Sequence, residues 1–151
     1  MKHILTTMVI LAMLCAGALA YAAEGPVAIT FDPEKKPFDL RTGVDVKPCT
    51  QVQRGSIQFY MSWLYEPLDY LTYFKEGVQT IPKERLWKIV KEQERWDIWR
   101  PWFKGGHDGY PITQSMRTMA VSFIPLDKNG NPGEKVLIRF SDLNEIDWGI
   151  E

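Results

Sequence analysis

The stretch that decides the fold runs from Thr80 to Arg100, TIPKERLWKIVKEQERWDIWR. Leu86, Ile89, Val90, Gln93, Trp96 and Trp99 recur at the three-and-four spacing of one helix face. Thr80 is a suitable N-terminal cap, and Pro82 fits a first helical turn. Pro101 ends the pattern, because the residue before a proline avoids helical geometry. The spacing therefore predicts one long helix over residues 80–100. Just upstream, PLDYLTYFKEG (67–77) opens on a proline and closes on Gly77, which predicts a short helix.

Outward from these helices the pattern changes to alternation. PVAITF (26–31) places Val27, Ile29 and Phe31 on one side, as a half-buried strand does. SIQFYMSWLY (56–65) does the same with Ile57, Phe59, Met61, Trp63 and Tyr65. Val44 and Val46 alternate with charges before Pro48 interrupts, which reads as a short edge strand. Residues 117–125 and 136–140 alternate on either side of LDKNGNPGEK (126–135). The terminal NEIDWGIE (144–151) predicts an edge strand or a docked tail. The sum is an α+β fold: a mostly antiparallel sheet with one long and one short helix packed on one face.

LDKNGNPGEK resembles the first half of a calcium loop, with Asp127, Asn129 and Asn131 at alternate positions. Such a loop needs glycine at its sixth position and a bidentate Glu at its twelfth. Here those positions hold Pro132 and Ile138. Asn-Gly and Pro-Gly are turn formers, so a hairpin turn explains every residue.

The first 22 residues carry a short basic start, an apolar run, and small residues at Ala18, Ala20 and Ala22. That order predicts a secretory signal peptide over 1–22, cleaved after Ala22. The rival reading, an uncleaved anchor, fits the two good cleavage sites less well. Residues 23–151 then form one domain, placed in the periplasm or outside the cell. The formal net charge of −1 and the absence of a basic patch point away from nucleic acid. No later apolar run is long enough to span a membrane.

Chemistry is sparse. His3 and Cys15 leave with the signal, so His107 and Cys49 remain alone. One histidine excludes zinc enzymes with two or three histidine ligands and blue-copper sites. No CxxCH motif attaches a haem. Cys49 is left for a buried thiol or an intermolecular disulfide. A thiolate–imidazolium pair of Cys49 with His107 is formally open. Met116 and Met119 are soft enough for Cu(I), but on a strand they face opposite sides. Glu92, Glu94 and Asp97 interleave with Lys91, Arg95 and Arg100, as on a solvated face rather than a carboxylate pair for glycoside chemistry. No catalytic residue, cofactor or metal site is assigned.

Aromatic density is what remains, with all six tryptophans in the mature chain. Trp96 and Trp99 share the apolar stripe and belong to the core first; Trp87 and Trp102 fall off it. Tryptophan and tyrosine suit interfaces, having one apolar end and one polar end. Trp87, Trp99, Trp102, His107 and Tyr110, the last two in the loop KGGHDGYP (104–111), are the candidate contacts. The reading is a secreted or periplasmic non-enzymatic binding or accessory protein, such as a small subunit of an envelope complex, whose aromatic-rich surface meets a protein partner or a small ligand. The alternatives are a small extracytoplasmic hydrolase, using His107 with Cys49 or a serine, and a copper or calcium binder.

Overall fold

The computed structural model describes residues 25–61, 66–74, 76–92, 99–105, 112 and 119–149. Among them run eleven strands: β1 (Val27–Phe31), β2 (Gln51–Val52), β3 (Gln58–Met61), β4 (Glu66–Leu68), β5 (Tyr70–Phe74), β6 (Val78–Pro82), β7 (Leu86–Lys91), β8 (Trp99–Phe103), β9 (Met119–Phe123), β10 (Val136–Arg139) and β11 (Leu143–Asp147). Helical geometry among the described residues is confined to 3-10 turns at Arg54–Ser56, Lys83–Arg85 and Phe140–Asp142.

Two antiparallel sheets enclose one core. The first has the order β2-β1-β11-β7-β8 and the second β10-β9-β3-β4; β5 and β6 form a separate hairpin. Alternation puts Val27, Ile29 and Phe31 inward from the first sheet and Phe59, Val121 and Phe123 inward from the second. Phe31 meets Phe123 edge to face at 6.3 Å across the gap, and Phe140 packs against Phe59 and Trp99 at 5.7 and 4.4 Å. Aromatic contacts of this geometry are worth about 0.5–1.5 kcal/mol each beyond the area they bury. One edge is stitched between the sheets: Gln53 N–H donates to Ile124 O at 2.9 Å and Leu126 N–H to Gln51 O at 3.0 Å. All five residues of β9 are buried, so both faces of the second sheet are covered there.

The α+β expectation is overturned. The long helix over 80–100 is absent: the described part of that stretch is the end of β6, a 3-10 turn, β7 and the start of β8. The physical reason is a β-bulge. Leu86 pairs with Phe103 but Lys88 pairs with Trp102, so β7 advances two residues while β8 advances one. The extra residue lets Leu86 and Ile89, three apart, both face the core, where each is fully buried. A bulged strand thus imitates helical spacing. Trp, Ile and Val also favour a strand over a helix. Pro101, read as a helix stop, lies inside β8, where the outermost place in the sheet tolerates its missing N–H.

The short helix over 67–77 is likewise absent; its residues make β4 and β5. Residues 144–147 are no edge or tail, since β11 sits in the middle of the first sheet between β1 and β7. The segment around Val44 closes into a small hairpin through the bridge Phe38↔Asp45, and Leu40 N–H donates to Leu137 O at 2.8 Å on the flank of β10. The hairpin of β9 and β10 around LDKNGNPGEK is present, with Phe123 opposite Val136 and Ala120 opposite Arg139. Among the described residues no helix is long and apolar enough to cross a membrane. Residues 1–22 lie outside the described residues.

Candidate functional site

The bulge also builds the most conspicuous group of side chains outside the core. Along β8, Trp99 and Pro101 turn inward and are buried, while Arg100 and Trp102 are only half-buried. On β7 the bulge places Trp87 beside Trp102. Their rings meet edge to face, 5.7 Å apart and 79° between planes. The Lys88 ammonium lies 4.5 Å from the Trp87 ring centre and 5.0 Å from that of Trp102. Each such cation–ring contact is worth about 0.5–1 kcal/mol at an exposed position. Trp148 N–H donates to Trp87 O at 2.8 Å, which carries the ladder on past the bulge.

Cross-strand register spreads this cluster into a face. Ala28, Asp147, Lys88 and Trp102 stand in one row across four strands, and Thr30, Glu145, Val90 and Arg100 in the next. The face runs from small residues at β1, through two carboxylates at β11, to the cationic and aromatic side chains of β7 and β8. Arg100 is tied to Glu92 by a 2.6 Å hydrogen bond from Nε. The pair joins the residue that follows β7 to the neighbouring strand β8.

Of the five residues singled out from sequence, the structure brings two together, Trp87 and Trp102. Trp99 sits in the core, fully buried against Phe140, out of reach of any partner. His107 and Tyr110 lie outside the described residues. Sequence reasoning missed Lys88. Its signal is cross-strand adjacency, which needs the β7–β8 register to be seen.

Cys49 is half-buried and packs on the core. Burial pushes its thiol up to about 11, the reverse of an activated nucleophile, and slows any disulfide exchange. Met119 is sealed in the core, and Met116 lies outside the described residues. Asp127 serves its own turn: Oδ1 accepts from Asn129 N–H and Asn131 N–H, both at 2.8 Å. Those bonds, the one from Asn131 foremost, hold its carboxyl below the ordinary value. Among the described residues no three His, Cys, Asp or Glu side chains stand close enough to share a metal ion.

No family model, no curated protein and no solved structure matches the chain.

Proposed function

We propose that the chain is an extracytoplasmic binding or accessory protein without catalytic machinery, which docks on a partner protein through the outer face of its first sheet. The observation that carries this reading is the Trp87–Lys88–Trp102 cluster. Two tryptophans keep part of their surface in solvent at the border of that sheet, whereas Trp99 is fully buried in the core. Tryptophan rings anchored among charged neighbours are what protein interfaces use as their energetic centres. The graded charge along the face, carboxylates to cations, gives a partner its orientation. The basic-then-apolar N-terminus supports placement beyond the cytoplasmic membrane.

The test is the native mass of the mature protein from its own host, by gel filtration with light scattering, together with its N-terminal residue. A complex of fixed stoichiometry is expected, starting at Ala23. It should be lost in the Trp87→Ser/Trp102→Ser double variant and kept in Val44→Ser, which alters an exposed apolar residue elsewhere. A monomer in the wild type, or a complex indifferent to the double variant, would overturn the reading.

A further inference from the structure

A cleft of about 350 Å3 opens between the turns Arg54–Ser56 and Lys83–Arg85 and the end of β11. Its apolar lining is Ile57, Phe59, Leu86 and Trp148, with the Phe59 and Trp148 rings edge to face at 6.3 Å. Its polar lining is Arg54, Lys83, Lys104 and one opposing carboxylate, Glu84. Three cations against one anion stand out in a chain whose formal net charge is −1.

The cations have different tasks. Arg54 builds the wall: Nε donates to Gly25 O at 2.8 Å and Nη2 to Trp148 O at 2.6 Å. Lys83 is held at the rim by Gln58 Oε1 at 3.2 Å, with Asp69, itself 91% exposed, at 3.8 Å. Lys104 is exposed at the rim, its backbone fixed by a 2.9 Å bond from its N–H to Arg85 O. Positive charge beside an apolar floor attracts an anion more strongly than the same charge on an open surface, because the floor excludes water. The volume lies in the range of small-molecule sites, which combine an apolar lining with a few polar groups.

We infer that this cleft binds a small soluble amphipathic anion: an aromatic or alkyl body of up to three rings, carrying one carboxylate, sulfonate or phosphate. The body lies against Trp148 and Ile57, and the anionic end meets Lys83 and Lys104. Neither lysine belongs to the Trp87–Lys88–Trp102 cluster, but the cleft's Trp148 donates its backbone N–H to Trp87 O, so the site adjoins the docking face while using different charges.

The probe is 8-anilinonaphthalene-1-sulfonate, followed by fluorescence, against its uncharged analogue N-phenyl-1-naphthylamine. The anionic dye should bind the native protein at one site and the neutral dye more weakly. Lys83→Met/Lys104→Met should weaken the anionic dye about tenfold, the loss expected of two partly solvated charge contacts, and leave the neutral dye unchanged. Gly55 also lines the cleft, and a Cβ added there meets nothing within 4 Å. Gly55→Leu should therefore fill the opening and exclude both dyes without lowering the melting temperature. Unchanged affinity of the anionic dye in the double-lysine variant would overturn the inference. So would tighter binding of the neutral dye. Sedimentation of the protein with phosphatidylglycerol vesicles would assign the cations to a membrane surface and overturn it as well.

Discussion

Trp99 is sealed against Phe140 at 4.4 Å, while Trp102, three residues on, keeps part of its ring in solvent beside Lys88. The two substitutions to alanine should separate accordingly. Trp99→Ala removes a fully buried ring from a close-packed core and should cost about 3–5 kcal/mol. Trp102→Ala loses one edge-to-face contact, one cation contact and partial burial, and should cost about 1–2.5 kcal/mol. Urea unfolding monitored by far-UV circular dichroism measures both. Equal costs would mean that Trp102 is as much a core residue as Trp99, and would remove it from the docking face. At this scale the sequence is only half legible. The turn roles of Asp127 and the Asn-Gly pair follow from local chemistry within five residues. Which tryptophan is inside depends on the strand phase, and the phase is not local.

At the scale of the element, the bulge at Trp87 decides between helix and strand. A helix over 80–100 would bury Ile89 and Val90 together on one stripe. In β7 they point to opposite sides: Ile89 is fully buried opposite Pro101, and Val90 stands on the outer face between Glu145 and Arg100. Ile89→Lys should therefore unfold the protein or cost more than about 3 kcal/mol, because it buries a charge in place of an apolar side chain. Val90→Lys should stay within about 1 kcal/mol, with Glu145 directly across the ladder to receive it. Thermal melts of the two single variants give the answer, and similar losses would contradict the placement of the two side chains on opposite sides of β7. Residues 27–31 alternate strictly, and Met119, Val121 and Phe123 mark one face of β9, so both strands were legible without knowledge of a partner; β10 was legible from its place across the 126–135 turn, since Leu137 breaks its alternation. β7 was not legible because its extra residue shifts the alternation by one, and the resulting three-residue spacing is also that of a helix. The docking face inherits the same blindness: Trp102 is visible in the sequence as an off-stripe aromatic, whereas Lys88 acquires its place only when β7 and β8 are laid side by side.

For the molecule as a whole, Lys91 ties three distant segments at the end of β7. Its ammonium lies 3.2 Å from Asp32 Oδ2, just after β1, and donates to Ser141 O, in the turn after β10, at 2.9 Å. It also stands 5.3 Å from the centre of the buried Trp99 ring. The lysine side chain is 8% exposed and the aspartate 17%. Removing one partner of a buried pair leaves the other charge uncompensated, so Lys91→Met should cost about 2 kcal/mol at pH 7, less than for a fully buried pair. The pH dependence has a defined sign. The backbone N–H of Glu34, and after it the Lys91 ammonium, hold the Asp32 carboxyl below its ordinary 3.8 against the opposing effect of burial. A carboxyl lowered by folding stabilises fully above 3.8, and that contribution disappears as pH falls through the lower folded value. Asp142, in the same turn as Ser141, runs the other way: burial raises its carboxyl, while Arg139, Lys35 and Lys91 oppose the rise. Lys91→Met relieves that opposition and should raise Asp142 further, so part of the cost at pH 7 comes from a carboxylate other than the bonded one. A double-mutant cycle with Asp32→Asn separates the two, since only the Asp32–Lys91 term appears as coupling. The coupling should be near 1 kcal/mol at pH 7 and should vanish once acid has protonated Asp32. Absent coupling at pH 7 would instead place the tie in the packing of the lysine stem on Trp99 and its bond to Ser141 O, with the ion pair contributing nothing measurable.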